Sequence, residues 1–212
     1  MIHAYDKVYL DKARIALGRM LDFAVYDLGY DIDDFFRLFI KSCAALRFGT
    51  GDFSLLVGMS GVELAYMVLD QTGSAYERIR PNYTAGRSEE FWTGWALAYY
   101  QWVTSMSFEE IVRYVPIKDI MMLYSPYHEM DIRQFVDKMN ALYRAAKPET
   151  NLKLLRLRAG LSQRELAQLS GIPVRTIQQY EQRRKNINKA QAEYLVLLSN
   201  VLYCDVSDLM EI

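Results

Sequence analysis

The sequence predicts an all-α protein built as a helical N-terminal body over residues 1–147 followed by a compact five-helix module over residues 151–212. Three observations predict it. Apolar residues recur at three- and four-residue spacing along most of the chain, whereas alternating strand-like runs bounded by turn residues are scarce. Serine followed three places later by glutamate marks helix starts at Ser60/Glu63, Ser107/Glu110 and Ser162/Glu165. The pattern breaks at Lys147-Pro148-Glu149-Thr150-Asn151, where the proline biases its predecessor away from the helical region. At 212 residues and 51% hydrophobic, the chain has enough apolar material for two packed cores.

Element by element, the spacing predicts a first long helix through Val8 to Leu28, stopped by Gly29, and a second from Asp33 to Phe48, stopped by Gly49. Ser60 and Ser107 open further helices through capping boxes. Ser88 opens another, with Glu89 and Glu90 set against the positive end of its dipole. Helices over Ile117–Tyr124 and Asp131–Ala145 complete a body of about seven helices around one core.

Composition excludes several classes. No run approaches the roughly 18 apolar residues of a membrane span, and the first residues lack a basic stretch leading into an apolar one, so a cytoplasmic protein is expected. Cys43 and Cys204 are far apart and sit in apolar stretches, which predicts two buried thiols rather than a disulfide. Gly58-Met59-Ser60-Gly61-Val62 lacks the glycine two places after serine that a nucleophile elbow needs. His128, Glu129 and Asp131 lack a partner histidine at metal-ligand spacing. Gly49-Thr50-Gly51 lacks the lysine and hydroxyl of a phosphate loop. The expectation is therefore a non-enzymatic protein with neither metal nor cofactor.

The most unusual part of the body is Phe91 to Trp102. On a helix its aromatic side chains spread over two adjoining faces, wider than one core-facing stripe. Two explanations are open: a fully buried central helix, or a helix with one edge exposed to a partner, for which Trp92, Trp95, Tyr99, Tyr100 and Trp102 are the candidate contacts.

Charge separates the two parts. Residues 1–149 carry 16 Lys+Arg against 20 Asp+Glu, a net of −4, and residues 150–212 carry 9 against 6, a net of +3. All nine of those cations lie between Lys153 and Lys189, opposed there only by Glu165 and Glu181. A compact basic module beside a mildly acidic body suits attraction to a phosphate backbone.

Within the module, Leu152, Leu155 and Leu157 set the apolar side of a helix ending at Gly160, and Ser162 opens the next. Ala167 is small where two helices must cross. Gly171 permits a left-handed turn, and Ile177, six residues on, plugs the core. Pro173 falls in the first turn of the third helix, where a missing amide costs nothing. A fourth helix over Lys189–Tyr203 and a fifth after Asp205 follow.

The run Leu-Lys-Leu-Leu-Arg-Leu-Arg-Ala-Gly-Leu-Ser-Gln-Arg-Glu-Leu-Ala from Leu152 to Ala167, continued by Gly171 to Glu181, resembles the Cro and phage-repressor helix-turn-helix family, also called the xenobiotic-response-element type. The resemblance covers about sixty residues and implies a lambda-repressor-like fold that binds operator DNA with its third helix in the major groove, and a homodimer is expected because one module buries little surface and reads few base pairs. It implies Val174, Arg175, Gln178 and Gln179 as base-reading residues, and Gln163, Arg164, Thr176, Arg183, Arg184 and Lys185 as further DNA contacts. Arg156 and Glu181 match positions of a buried ion pair, and Ala167, Gly171 and Ile177 the structural signature. Arginine suits guanine, glutamine adenine, and Val174 a thymine methyl. The sequence departs from the family in lacking a glycine within Gln182-Arg183-Arg184-Lys185-Asn186.

In the body, Gly58 to Ala65 and Arg87 to Tyr100 resemble uncharacterised regions fused to such modules in Firmicutes. Two roles follow: a transcriptional regulator, expected to be a repressor, whose body senses a small effector or dimerises; or an antitoxin whose body binds a partner toxin while its module regulates its own operon.

Overall fold

A computed structural model describes residues 3–82, 86–147 and 149–211. The chain forms two compact units, Met1–Ala146 and Lys147–Ile212. Both are helical, with no strand among the described residues. No helix among them is long and apolar enough to cross a membrane. Of the boundary signals, Pro148 lies outside the described residues.

The N-terminal unit is organised around α1 (Leu10–Asp22), preceded by a 3-10 turn at Lys7–Tyr9 and prolonged by a π-helical turn at Phe23–Asp27. Gly29, with φ +74°, follows that turn where the sequence predicts the stop. Then come α2 (Ile32–Lys41), α3 (Cys43–Gly49), α4 (Phe53–Leu56), α5 (Gly61–Thr72), α6 (Glu89–Thr104), α7 (Phe108–Tyr114), α8 (Ile117–Met121), α9 (Tyr124–Tyr127) and α10 (Ile132–Ala146). α1 sits centrally because α6 approaches it to backbone contact. A Cβ on Gly94 would stand 2.6 Å from the Leu17 carbonyl oxygen, and one on Gly18 would stand 2.7 Å from that of Phe91. Leu17, Met20, Leu21, Ala96, Leu97 and Ala98 are fully or almost fully buried along this crossing. The expected caps form at Ser60, reciprocally with Glu63, at Ser88 and at Ser107. The Glu110 carboxylate accepts the Tyr143 hydroxyl at 2.6 Å, tying α7 to α10.

Four expectations are corrected. The segment 33–48 is two helices, because Ser42 takes an extended conformation and its hydroxyl donates to the Phe39 carbonyl at 2.6 Å. The bend brings Phe39 and Phe48 onto Phe108, with centroids 5.3 and 5.9 Å away, contacts one straight helix would not make. Residues 117–124 likewise divide between α8 and α9. Cys43 is exposed and Cys204 half-buried, since one opens α3 and the other follows the left-handed turn that ends the penultimate helix.

The aromatic helix α6 is the fourth correction. Trp92, Tyr100 and Trp102 are buried and offer almost no surface to a partner protein. Trp102 donates Nε1–H to the Tyr5 carbonyl at 2.8 Å, and the Tyr100 hydroxyl donates to Asn140 Oδ1 at 3.0 Å, so both of these rings carry a satisfied polar end. Trp95 and Tyr99 are half-buried against Arg14, whose guanidinium carbon lies 3.3 and 4.9 Å from their ring centroids.

The C-terminal unit contains α11 (Asn151–Arg158), α12 (Gln163–Ser170), α13 (Val174–Glu181), a 3-10 turn at Ile187–Lys189, α14 (Ala192–Leu202) and α15 (Val206–Leu209). The predicted fourth helix thus begins later, after that turn. Leu152, Leu166, Ile172, Ile177, Tyr180, Ile187, Leu195, Leu198, Leu202 and Leu209 form its core.

Candidate nucleic-acid interface

The interface is built on α12 and α13. Ser162 Oγ accepts the Glu165 amide at 3.2 Å and Glu165 Oε2 accepts the Ser162 amide at 2.7 Å, a closed capping box that fixes where α12 starts. The hydrogen bonds from Ser162 hold the Glu165 carboxyl below its ordinary pKa. α12 ends at Gly171, whose φ of +72° turns the chain sharply enough to start α13 three residues later. Pro173 is the N-cap of α13, one place before the first helical turn in which it is expected, and its missing amide is equally harmless there. Ile177 is fully buried between the helices, and Ala167 is half-buried where they cross.

A buried ion pair locks α13 against α11. Arg156 donates from Nε and Nη2 to the two carboxylate oxygens of Glu181 at 2.6 and 3.0 Å, and from Nη1 to the Leu161 carbonyl at 2.7 Å. The two side chains are only 7% and 2% exposed, and the pairing pushes the arginine pKa further up. The network continues to the surface. Gln163 donates to Glu181 Oε2 at 2.7 Å and accepts from Gln178 at 3.3 Å. Gln163 therefore begins as a brace between the lock and α13, a coupling the sequence does not signal because it depends on side chains fifteen and eighteen residues away.

The remaining candidates divide clearly. Arg164, Arg175, Arg184 and Lys185 are exposed, and among the described residues none of the four has an ion-pair partner. Val174, Thr176, Gln178 and Gln179 are half-buried on α13. The Arg184 and Lys185 amides both donate to the Gln179 carbonyl, at 2.9 and 3.1 Å, which folds this cationic pair back beside the end of α13. Arg183 is a different case. Its backbone has φ +54°, the left-handed position that glycine ordinarily fills after a helix, and its Nη2 donates to the Lys147 and Glu149 carbonyls at 3.0 and 3.3 Å. Glu211 Oε2 lies 3.4 Å from the same nitrogen. Its guanidinium is thus held in part by the unit's own chain while the residue stays exposed. The arrangement presents guanidinium, amide and ammonium donors around one short helix, donors that match phosphate oxygens and base edges.

A family model described as helix-turn-helix matches residues 152–209. No curated protein and no solved structure matches the chain.

Proposed function

Given a helix-turn-helix domain at residues 152–209, we propose that this protein is a sequence-specific transcriptional regulator, a repressor that binds operator DNA through α13 as a homodimer. The observation that carries the reading is the exposed, unpaired Arg175 at the start of α13, flanked by Gln178 and Gln179 and by the free cations Arg164, Arg184 and Lys185. A helix of this width enters the major groove, where arginine forms paired hydrogen bonds to guanine and glutamine to adenine. The cations beside it supply phosphate attraction that is independent of sequence. The buried Arg156–Glu181 pair and its Gln163 extension support the reading by fixing the helix that would read bases, which lowers the ordering cost of binding.

The test is a footprint of the purified protein on its own promoter, repeated with Arg175→Ala and Gln179→Ala. Each substitution is expected to weaken the specific site by about tenfold to a hundredfold, the worth of one good base contact. Unchanged protection in both variants would overturn the assignment of α13. Two protected half-sites about 34 Å apart on one face of the duplex are expected of a dimer.

A second reading, an antitoxin whose N-terminal unit holds a partner toxin, is favoured by one feature. Leu46, Phe53 and Val57 of the α3–α4 region are exposed by 69%, 70% and 51%, apolar side chains of a kind a protein partner would cover. Co-purification with the product of an adjoining gene, abolished by Phe53→Asp, is its test.

A further inference from the structure

The N-terminal unit contains a cavity of about 210 Å³ lined by Arg87, Phe91, Trp92, Trp95, Tyr124 and His128. Its walls are aromatic, and most are held in place from behind. Trp92 meets Tyr124 and Phe135 edge-on, at 5.6 and 5.3 Å between centroids. Tyr124 stacks on His128 at 4.4 Å, and Trp95 is covered by the Arg14 guanidinium at 3.3 Å. Rings fixed in this way form a preset slot for another flat ring. A cavity of roughly 150 Å³ already accommodates benzene, so this one has room for a single ring and one small substituent.

The charge around the slot selects that substituent. Arg87 is exposed, its guanidinium carbon lies 5.0 Å from the Phe91 centroid, and among the described residues no carboxylate pairs with it. Behind Trp95, Arg14 is 91% buried with Nε and Nη2 lacking hydrogen-bond partners among the described residues, where its one ion-pair neighbour, Asp11, is 3.9 Å away and 90% exposed. At the other side, His128 Nδ1 faces the Tyr124 and Ser125 carbonyls at 3.0 and 3.2 Å. Both are acceptors, so Nδ1–H donates to them and Nε2 is the nitrogen left for a ligand. Glu129, 3.6 Å from that Nε2, is 87% exposed and compensates little in water. A cation held among these rings would sit beside Arg87, with Arg14 over the Trp95 ring as a second nearby positive charge. An anion instead gains from both.

We propose that this cavity binds a small planar aromatic carboxylate, its ring among Trp92, Trp95 and Tyr124 and its carboxylate on Arg87. The binding is a property of the N-terminal unit and stands apart from the DNA-binding reading. Two of the three tryptophans line the cavity, while Trp102 stacks on His3 at 3.7 Å. Ligand entry therefore registers as quenching of intrinsic fluorescence, with calorimetry as an independent readout.

The full chain, without DNA, is titrated with benzoate, with benzamide as its neutral counterpart and with benzyltrimethylammonium as a cation. Benzoate is expected to bind saturably and at least about tenfold more tightly than the other two, the usual worth of a charge-assisted contact. In Arg87→Gln, an exposed position whose replacement leaves the core intact, benzoate is expected to fall to the affinity of benzamide. Absence of saturable benzoate binding by both readouts overturns the proposal. So does equal binding of benzamide or the ammonium compound, or full benzoate affinity in Arg87→Gln. Because no DNA is present, none of these outcomes bears on α13, and a failed footprint leaves the cavity untouched.

Discussion

Arg156 and Glu181 show how much one pair of residues decides in a unit of this size. A carboxylate that is 2% exposed is tolerable only while Arg156 and Gln163 supply its hydrogen bonds. Arg156→Ala strands it, and the expected loss of stability is about 3–5 kcal/mol in urea denaturation. Replacing both partners by apolar residues, Arg156→Met with Glu181→Leu, should recover most of that loss, because no charge remains to be desolvated. A single variant as stable as the parent would show that the pair is not buried in solution. Arg183 makes a related point. A left-handed conformation costs an ordinary residue about 1–2 kcal/mol, and here hydrogen bonds to two backbone carbonyls offset it.

At the scale of elements, the α1–α6 crossing is governed by what is missing at two positions. Alanine at Gly94 would ordinarily strengthen a helix by about 1 kcal/mol. The atoms its Cβ would meet belong to the backbone of α1, which has no rotamer to yield. Overpacking of about 1–3 kcal/mol or more should therefore win, and Gly94→Ala is expected to lower the unfolding midpoint, whereas a rise would refute the close approach. The start of α10 carries a pH-dependent contribution. Asp131 accepts hydrogen bonds from the Arg133 amide at 2.9 Å and from its guanidinium at 3.0 and 2.7 Å, which holds its carboxyl down at about 2. A depressed folded-state value means stability that is present above the unfolded carboxyl's range, near 3.9, and lost as pH falls through about 2. Asp131→Asn should remove this part of the acid sensitivity, seen as a flatter stability profile between about pH 4 and 2.

For the molecule as a whole, charge is unequally divided, and the structure refines the count. Of the nine cations between Lys153 and Lys189, Arg156 is consumed by Glu181, Arg183 is held by the chain, and Lys153 pairs with Glu149. Arg164, Arg175, Arg184 and Lys185 are the exposed members around α13. If Arg164, Arg184 and Lys185 neutralise phosphates in each protomer of the proposed dimer, affinity for DNA should fall by about a thousandfold between roughly 50 and 200 mM salt, a slope of about −5.4 on logarithmic axes. An affinity indifferent to salt would count against this face as the contact surface.

Much of this was already written in local sequence, because the forces concerned act over a few residues. The capping boxes at Ser60 and Ser162, the left-handed stops at Gly29 and Gly171, and the Ala167–Gly171–Ile177 spacing all formed as read. So did the all-helical character, since the apolar period is set within each helix. Other features depended on distant partners. Ser42 broke a segment that reads as one helix so that Phe39 and Phe48 could share Phe108. Which of the α6 aromatics were buried, Trp92, Tyr100 and Trp102 rather than Trp95 and Tyr99, was decided by how α1, α9 and α10 close around that helix. The fate of each cation was also tertiary, because only the folded chain brings Glu181, Lys147 and Glu211 within reach of one arginine or another. The sequence by itself determined the helices and the turn between α12 and α13, whose hydrogen bonds close locally. The tertiary structure decided which side chains remain exposed to meet a ligand, because burial is a property of neighbours far away in the chain.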